Sequence, residues 1–396
     1  MKLKLFLLTA SAMVLATSCS SDAVVDDAQS NNAIKFSATA NKASRAAEYF
    51  CNNDLPTQFN VWASVQEKGE TARKTYFENE SFSLKEDAST WTIDGGVERY
   101  WPEKEADVFF YASRNHGEVV WNNGEPTVEA FTPADNADAQ KDFVYAYTKK
   151  NRPEGANKGD VALNFRHALS QIVFKAKNEN AKIYVEIEGV KVCKVASKGK
   201  FTFPKLENFT DNNYVDHTNA ASALTTGLGT WAPADYTKTF VTDFTNVKLT
   251  DNTSVFNLTD NVDVKGEARN NVESLLLIPE TTTAWVPTDG TAAADQTGSY
   301  FLVNCRIRNV AGNAVADNDV YLWGSKTAAK ELAIPFAANW EQGKKYVYTF
   351  NFTKGGHGGY DPDDSKNVLI PISFTVTVDD FAKGVDANVD ADNGNV

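Results

Sequence analysis

Apolar and polar residues alternate one for one along much of this 396-residue chain. Phe59-x-Val61-x-Ala63-x-Val65, Phe143-x-Tyr145-x-Tyr147, Ile183-x-Val185-x-Ile187, Phe301-x-Val303-x-Cys305-x-Ile307, Tyr346-x-Tyr348-x-Phe350-x-Phe352 and Phe374-x-Val376-x-Val378 all follow the pattern. Successive side chains of a strand point to opposite faces, so each run puts its apolar residues on one side of a half-buried strand. Sustained helical periodicity is hard to find. Asp94-Gly95-Gly96, Asn122-Asn123-Gly124 and Asp289-Gly290 supply the residues that tight turns with positive φ require. The pattern predicts a mostly β protein, with sandwich domains favoured over one large barrel at this length.

The best internal boundary is a charged loop, Thr148-Lys-Lys-Asn-Arg-Pro-Glu-Gly-Ala-Asn-Lys-Gly159, which carries Pro and Gly without apolar periodicity. It divides an N-terminal domain over 46–150 from a C-terminal domain over 160–384. Residues 20–32 read as a tether, the Gly-rich segment 355–364 as a flexible loop, and 385–396 as an acidic tail.

The start of the chain carries an address. Lys2 and Lys4 precede an apolar run from Leu5 to Ala16, and small residues then lead to Cys19. The run is too short to span a bilayer and has the form of a secretory signal. Residues 1–18 are therefore expected to be a lipoprotein signal peptide, with the Cys19 thiol accepting lipid. An ordinary signal peptide cut nearby is the alternative.

Charge narrows the partners. With 52 acidic residues against 39 basic ones the net charge is −13, and nothing gathers Lys and Arg into a stripe for phosphates, so nucleic acid is not an expected partner. The three other cysteines, Cys51, Cys193 and Cys305, have no zinc-site spacing. Cys305 sits on the apolar face of its strand and reads as a core thiol; a disulfide from Cys51 to either of the others stays open. The four histidines form no local pair, and the chain has no HExxH, GxSxG or P-loop. His167, in Phe165-Arg-His-Ala-Leu169, reads as a core or turn histidine bonded to backbone. Gly227-x-Gly229-x-x-Ala232 is half a dinucleotide fingerprint, but Pro233 follows it and no βαβ unit surrounds it. Asp386-x-Asn388-x-Asp390-x-Asp392 starts like a calcium loop yet has Ala391 where Gly is needed. No nucleophile, base and orienter can be nominated together, so neither an enzyme nor a cofactor is expected.

Several phrases then occur in a fixed order. They are Ala33-Ile-Lys-Phe-Ser-Ala38 with Ser44-Arg45-Ala46, Arg99-Tyr-Trp-Pro102 with Phe109-Phe-Tyr-Ala112, and Asp142-Phe-Val-Tyr-Ala146. Next come the run from Val161 to Phe174, Leu275-Leu-Leu-Ile-Pro279, Trp340-x-x-Gly343-x-x-Tyr346 and Ile372-x-Phe374-x-Val376-x-Val378. In these the chain resembles the fimbrillin family, lipoprotein precursors of type V pili in Gram-negative anaerobes.

The resemblance implies two transthyretin-like β-sandwich domains in tandem and a structural role in a fimbrium that supports adhesion. It implies a precursor held at the outer membrane by lipid on Cys19. An Arg-specific protease then cuts between Arg45 and Ala46, removing residues 19–45 with a first strand built on Ile34 and Phe36. The vacated groove takes a strand from another fimbrial subunit. Val385, Ala387, Val389 and Ala391 alternate with polar residues and are the candidate donor. Ligands on host or bacterial surfaces are further partners left open. The competing expectation is a permanently lipid-anchored surface protein that binds glycan through Trp121, Trp231, Trp285 and Trp323, which lie near loop-like sequence.

Overall fold

The computed structural model describes residues 32–40, 57–84, 90–122, 124–152, 160–205, 228–259, 274–310, 320–353 and 358–380. The described residues form strands and two short 3-10 turns, with no helix long and apolar enough to cross a membrane. The mostly β expectation holds.

The first body is built from β1 (Phe36–Ala40), β2 (Gln58–Glu67), β3 (Lys74–Leu84), β4 (Trp91–Ile93) and β5 (Ala106–Arg114). The chain then leaves it for a hairpin of β6 (Val119–Asn122) and β7 (Glu125–Phe131), and returns as β8 (Val144–Asn151) and β9 (Val161–His167). Seven of these strands close into a barrel in the order β1-β4-β3-β2-β5-β8-β9. Its interior is aromatic: Phe59 of β2 meets Phe165 of β9 at 5.1 Å, although the two strands are not neighbours.

β8 and β9 are paired neighbours in this barrel. Residues 148–151 of the segment expected to be a loop between domains belong to β8, the rest joins β8 to β9 of the same sheet, and the chain changes sheet only after His167. Pro, Gly and charge mark a connection; they do not say whether the connected strands share a sheet.

The second body holds β10 (Ser170–Asn178), β11 (Ile183–Cys193), β12 (Lys198–Thr202), β13 (Thr230–Ala234), β14 (Thr239–Leu249), β15 (Val255–Asn257) and β16 (Leu275–Leu277). After these come β17 (Tyr300–Asn309), β18 (Tyr321–Trp323), β19 (Lys330–Pro335), β20 (Lys344–Phe352), β21 (Gly358–Tyr360) and β22 (Asn367–Asp380). The main path of the large sheet runs β14-β11-β17-β19-β21-β22-β20-β10-β15. Phe174 of β10 packs edge-on against Phe301 of β17 at 5.5 Å, so the sheet folds over and its halves face each other across one core. The Gly-rich loop is shorter than expected. Gly358–Tyr360 bridges β19 and β22, held by Tyr360 against Trp285 at 5.6 Å.

A third sheet ties the bodies together. Its order is β13-β12-β7-β6, so strands from both halves of the chain pair with each other. Phe201 of β12 packs on Phe143 and Tyr145 at 5.1 and 4.8 Å. Gly229 lies on the Phe201 ring, where any Cβ would fall 2.1 Å from a ring carbon, and its N–H donates to the Tyr145 hydroxyl at 3.0 Å. That contact accounts for the glycine that resembled part of a nucleotide fingerprint. Tyr145 donates in turn to Gln342 at 2.9 Å, and the Gln342 amide donates to the Gly229 carbonyl at 2.6 Å.

Among the described residues Cys193 and Cys305 are buried free thiols, and burial pushes both above the ordinary thiol range; Cys51 lies outside the described residues. His167 was expected to be bonded to backbone, but its Nδ1 sits 2.6 Å from the carboxylate oxygen Oδ2 of Asp142.

Glu280 is the buried acid with a testable consequence. Its carboxylate accepts the Ala196 N–H at 2.6 Å, but burial outweighs that bond and pushes the carboxyl from 4.5 up to about 7. The folded protein thus holds a proton between pH 4.5 and 7 that the unfolded chain releases. The associated stability is full below pH 4.5 and is lost as pH rises through 7, an effect of at most about 3 kcal/mol. Glu280→Gln should match the parent near pH 4 and exceed it at pH 8 by up to that amount. Urea titrations of both proteins at the two pH values check this, and equal stabilities at pH 8 would contradict it.

Candidate functional site

The element that sets this fold apart from an ordinary hairpin barrel is β1. It does not pair with its sequence neighbour β2. It lies parallel to β9 over five register pairs, from Phe36 opposite Val161 to Ala40 opposite Phe165. On its other side it meets β4 through the single pair Phe36 and Trp91. Just before the strand, Ile34 N donates to Arg99 O at 2.7 Å, and Trp101 N donates to Asn32 O at 3.1 Å. Residues 32–40 thus fill a slot between β9 on one rim and the 99–101 segment and β4 on the other.

Alternation fixes which side chains enter. Ile34, Phe36 and Ala38 point into the barrel, and Phe36 is 0% exposed. Its ring meets Phe82, Phe110 and Phe59 edge-on at 4.7, 5.5 and 6.0 Å, the geometry that aromatic quadrupoles favour. The rim is braced as well. Arg99 pairs with Glu80 and lies over the Phe77 ring at 5.9 Å, while the Tyr76 hydroxyl donates to Tyr100 O. Trp101 packs on Phe110 at 5.9 Å. Lys150 crosses this end, with Nζ 5.7 Å from the Trp101 ring and 2.7 Å from Asp160 O; burial lowers its ammonium below the ordinary range.

The sequence profile of the fimbrillin-like family matches residues 38–378. The chain belongs to that family. A fimbrial protein from Bacteroides vulgatus has a similar fold at 14% identity, with 88% of this chain and 99% of that one covered and a TM-score of 0.53. A proposed cell adhesion protein from Bacteroides ovatus aligns at 13% identity over 89% of this chain and 99% of its own, with a TM-score of 0.44. Comparison with curated proteins gives no match.

The structure gathers the earlier phrases that carry the family resemblance around the slot of this fimbrillin-like chain, while those from Leu275 onward lie in the large sheet. Arg99-Tyr-Trp-Pro102 and the start of the Val161 run are its rims, and Phe110 belongs to its floor. Ile34 and Phe36 are brought together in the core. Ala38, Phe59 and Phe82 complete the slot, and of these only Phe59 stood out within an alternating run. Cys19, Arg45, Ala46, Val385, Ala387, Val389 and Ala391 lie outside the described residues, as does the calcium-like tail.

The tryptophans do not form the expected stacking surface. Trp285 and Trp323 are buried. Trp121 and Trp231 are half-buried and donate their indole N–H groups to Thr75 Oγ1 and Ala168 O at 2.8 and 2.7 Å. Among the described residues no group of His, Cys, Asp and Glu is placed to hold a metal ion.

Proposed function

We propose that this chain is a structural subunit of a fimbrium, exported as a lipoprotein precursor and assembled by exchange of its first strand. The observation that carries the reading is the placement of β1. The strand completes the barrel, yet its covalent link to β2 runs through residues 41–57 alone. That link contains Arg45, so one cut after Arg45 leaves β1 held only by its slot. Lipid on Cys19 keeps the precursor at the outer membrane, and an Arg-specific protease releases the remainder from Ala46 onward. The emptied slot then accepts a strand from another fimbrial subunit through main-chain pairing. Residues Val385 to Ala391 are the candidate donor, following a folded region of two tandem units that change over after His167. Surface location and a role in adhesion follow from the same reading, in keeping with the fimbrial relative.

N-terminal sequencing of protein from the native cell surface tests the order of events. Chains starting at Ala46 are expected, and Arg45→Ala should hold the protein at precursor length with intact fold. Recovery of acylated Cys19 as the sole N-terminus in cells with normal fimbriae would overturn the proposal. At the other end, replacing Val385 and Val389 together with Asp removes both larger apolar anchors of the donor. Such chains should cap growing polymers, visible as shorter fibres in electron micrographs; unchanged fibre length would remove 385–391 as the donor.

A further inference from the structure

Far from the slot, loops at one end of the large sheet enclose a cleft of about 430 Å³. Its lining comes from four chain segments: Lys194 after β11, Tyr236 and Thr237 before β14, Glu280 to Thr283 after β16, and Gln296 to Ser299 before β17. The volume lies in the range of small-molecule pockets, roughly 300–1,000 Å³.

The walls are fixed by bonds that leave the lining free to face a ligand. Ser197 N donates to Asp235 O at 2.7 Å, which pins the loop carrying Tyr236. Thr282 exchanges bonds with Ala338: its N–H donates to Ala338 O at 2.8 Å and its Oγ1 accepts Ala338 N–H at 3.0 Å. Ser299 N donates to Thr283 O at 2.8 Å, and Ser299 Oγ donates to Lys194 O at 2.9 Å. Gly298, at φ +94°, lies against the Trp285 backbone so closely that a Cβ would fall 2.5 Å from Trp285 Cα. The cleft is therefore preformed on a rigid scaffold, as recognition loops require.

Its chemistry is specific in kind. Tyr236 stands 47% exposed, an aromatic ring offered at the wall of the cleft. Beside it are exposed side chains of Thr283 and Thr297, whose hydroxyls both donate and accept. Lys194 Nζ donates to Ala294 O at 2.7 Å, and Glu280 Oε1 accepts the Ala196 N–H at 2.6 Å, which fixes both side chains in the lining. A pyranose matches the set, since one face of C–H groups stacks on a tyrosine while its ring of hydroxyls meets groups that both donate and accept.

We propose that this cleft is a binding site for a sugar residue, with Tyr236 as the stacking platform and Thr283, Thr297 and the Glu280 carboxyl as hydrogen-bonding partners. The site is separate from the β1 slot and does not depend on how the chain assembles.

The full chain is tested by saturation-transfer NMR and calorimetric titration against methyl α-mannoside, methyl β-galactoside, N-acetylglucosamine and N-acetyllactosamine. At least one should bind with a millimolar Kd, which is the strength expected of a single shallow sugar contact. Tyr236→Ala should weaken that binding about tenfold, the loss of one aromatic stacking partner, and Tyr236→Phe should weaken it less. Thr297→Ala, which changes an exposed loop residue, provides a second reading and should also weaken binding. Absence of binding by every sugar in the panel overturns the proposal, as does parental affinity in both Tyr236→Ala and Thr297→Ala.

Discussion

A chain lacking residues 19–45 is expected to associate with itself at concentrations where the intact precursor stays monomeric. The deletion takes away the whole of β1. Phe59, Phe82 and Phe110 then line an open apolar slot, and β9 and the 99–101 segment lose the main-chain partners that residues 32–40 supply. Unpaired strand edges beside exposed apolar surface are templates for another chain. Light scattering after gel filtration should show concentration-dependent oligomers. A synthetic peptide of residues 32–40, carrying Ile34, Phe36 and Ala38, should fill the slot and return the protein to monomers. A truncated chain that stays folded and monomeric at every concentration would refute the exchangeable role of β1.

The second large effect is expected from one side chain. Phe36→Ala removes a fully buried ring from contact with three other phenylalanines. Such truncations typically cost about 3–5 kcal/mol, because the lost burial is compounded by a cavity. Urea unfolding of the precursor should show this loss, whereas Ser37→Ala, on the opposite face of the same strand, should change stability by less than about 1 kcal/mol. A loss under about 1 kcal/mol for Phe36→Ala would mean that the barrel closes without it. The two experiments separate the core role of β1 from its exchange, since the first can fail while the second succeeds.

Much of the strand content was legible from alternation alone, whereas the strand of Ile34 and Phe36 was expected only through the family resemblance. The partner of β1 was not. Parallel pairing with β9 joins residues over a hundred positions apart, and the two-residue period is silent about neighbours. The third sheet was hidden for the same reason: the hairpin of β6 and β7 meets β12 only after the chain has left the barrel. Alternation also reveals a face without saying whether anything covers it. Val376 and Val378 continue the inward pattern of Ile372 and Phe374, yet stand 46% and 53% exposed near the end of β22. Trp285 sat in loop-like sequence and is 1% exposed because Tyr360 and the backbone at Gly298 close over it. The cleft around Tyr236 left no signal, since its four segments are distant in sequence.

The direction of β1 bears on how the molecule responds to mechanical load. Tension applied through the chain before Asn32, in line with the strand, would draw β1 along its own axis past β9. Hydrogen bonds of a parallel ladder then share the strain together, in shear, instead of opening one after another as in the peeling of a hairpin from its free end. Phe36 would have to be dragged from between three rings in the same movement. The lifetime of the joint under flow is accordingly set by a single concerted rupture rate, not by the equilibrium strength of any one contact. A strand of the same polarity seated in that slot would inherit the same resistance.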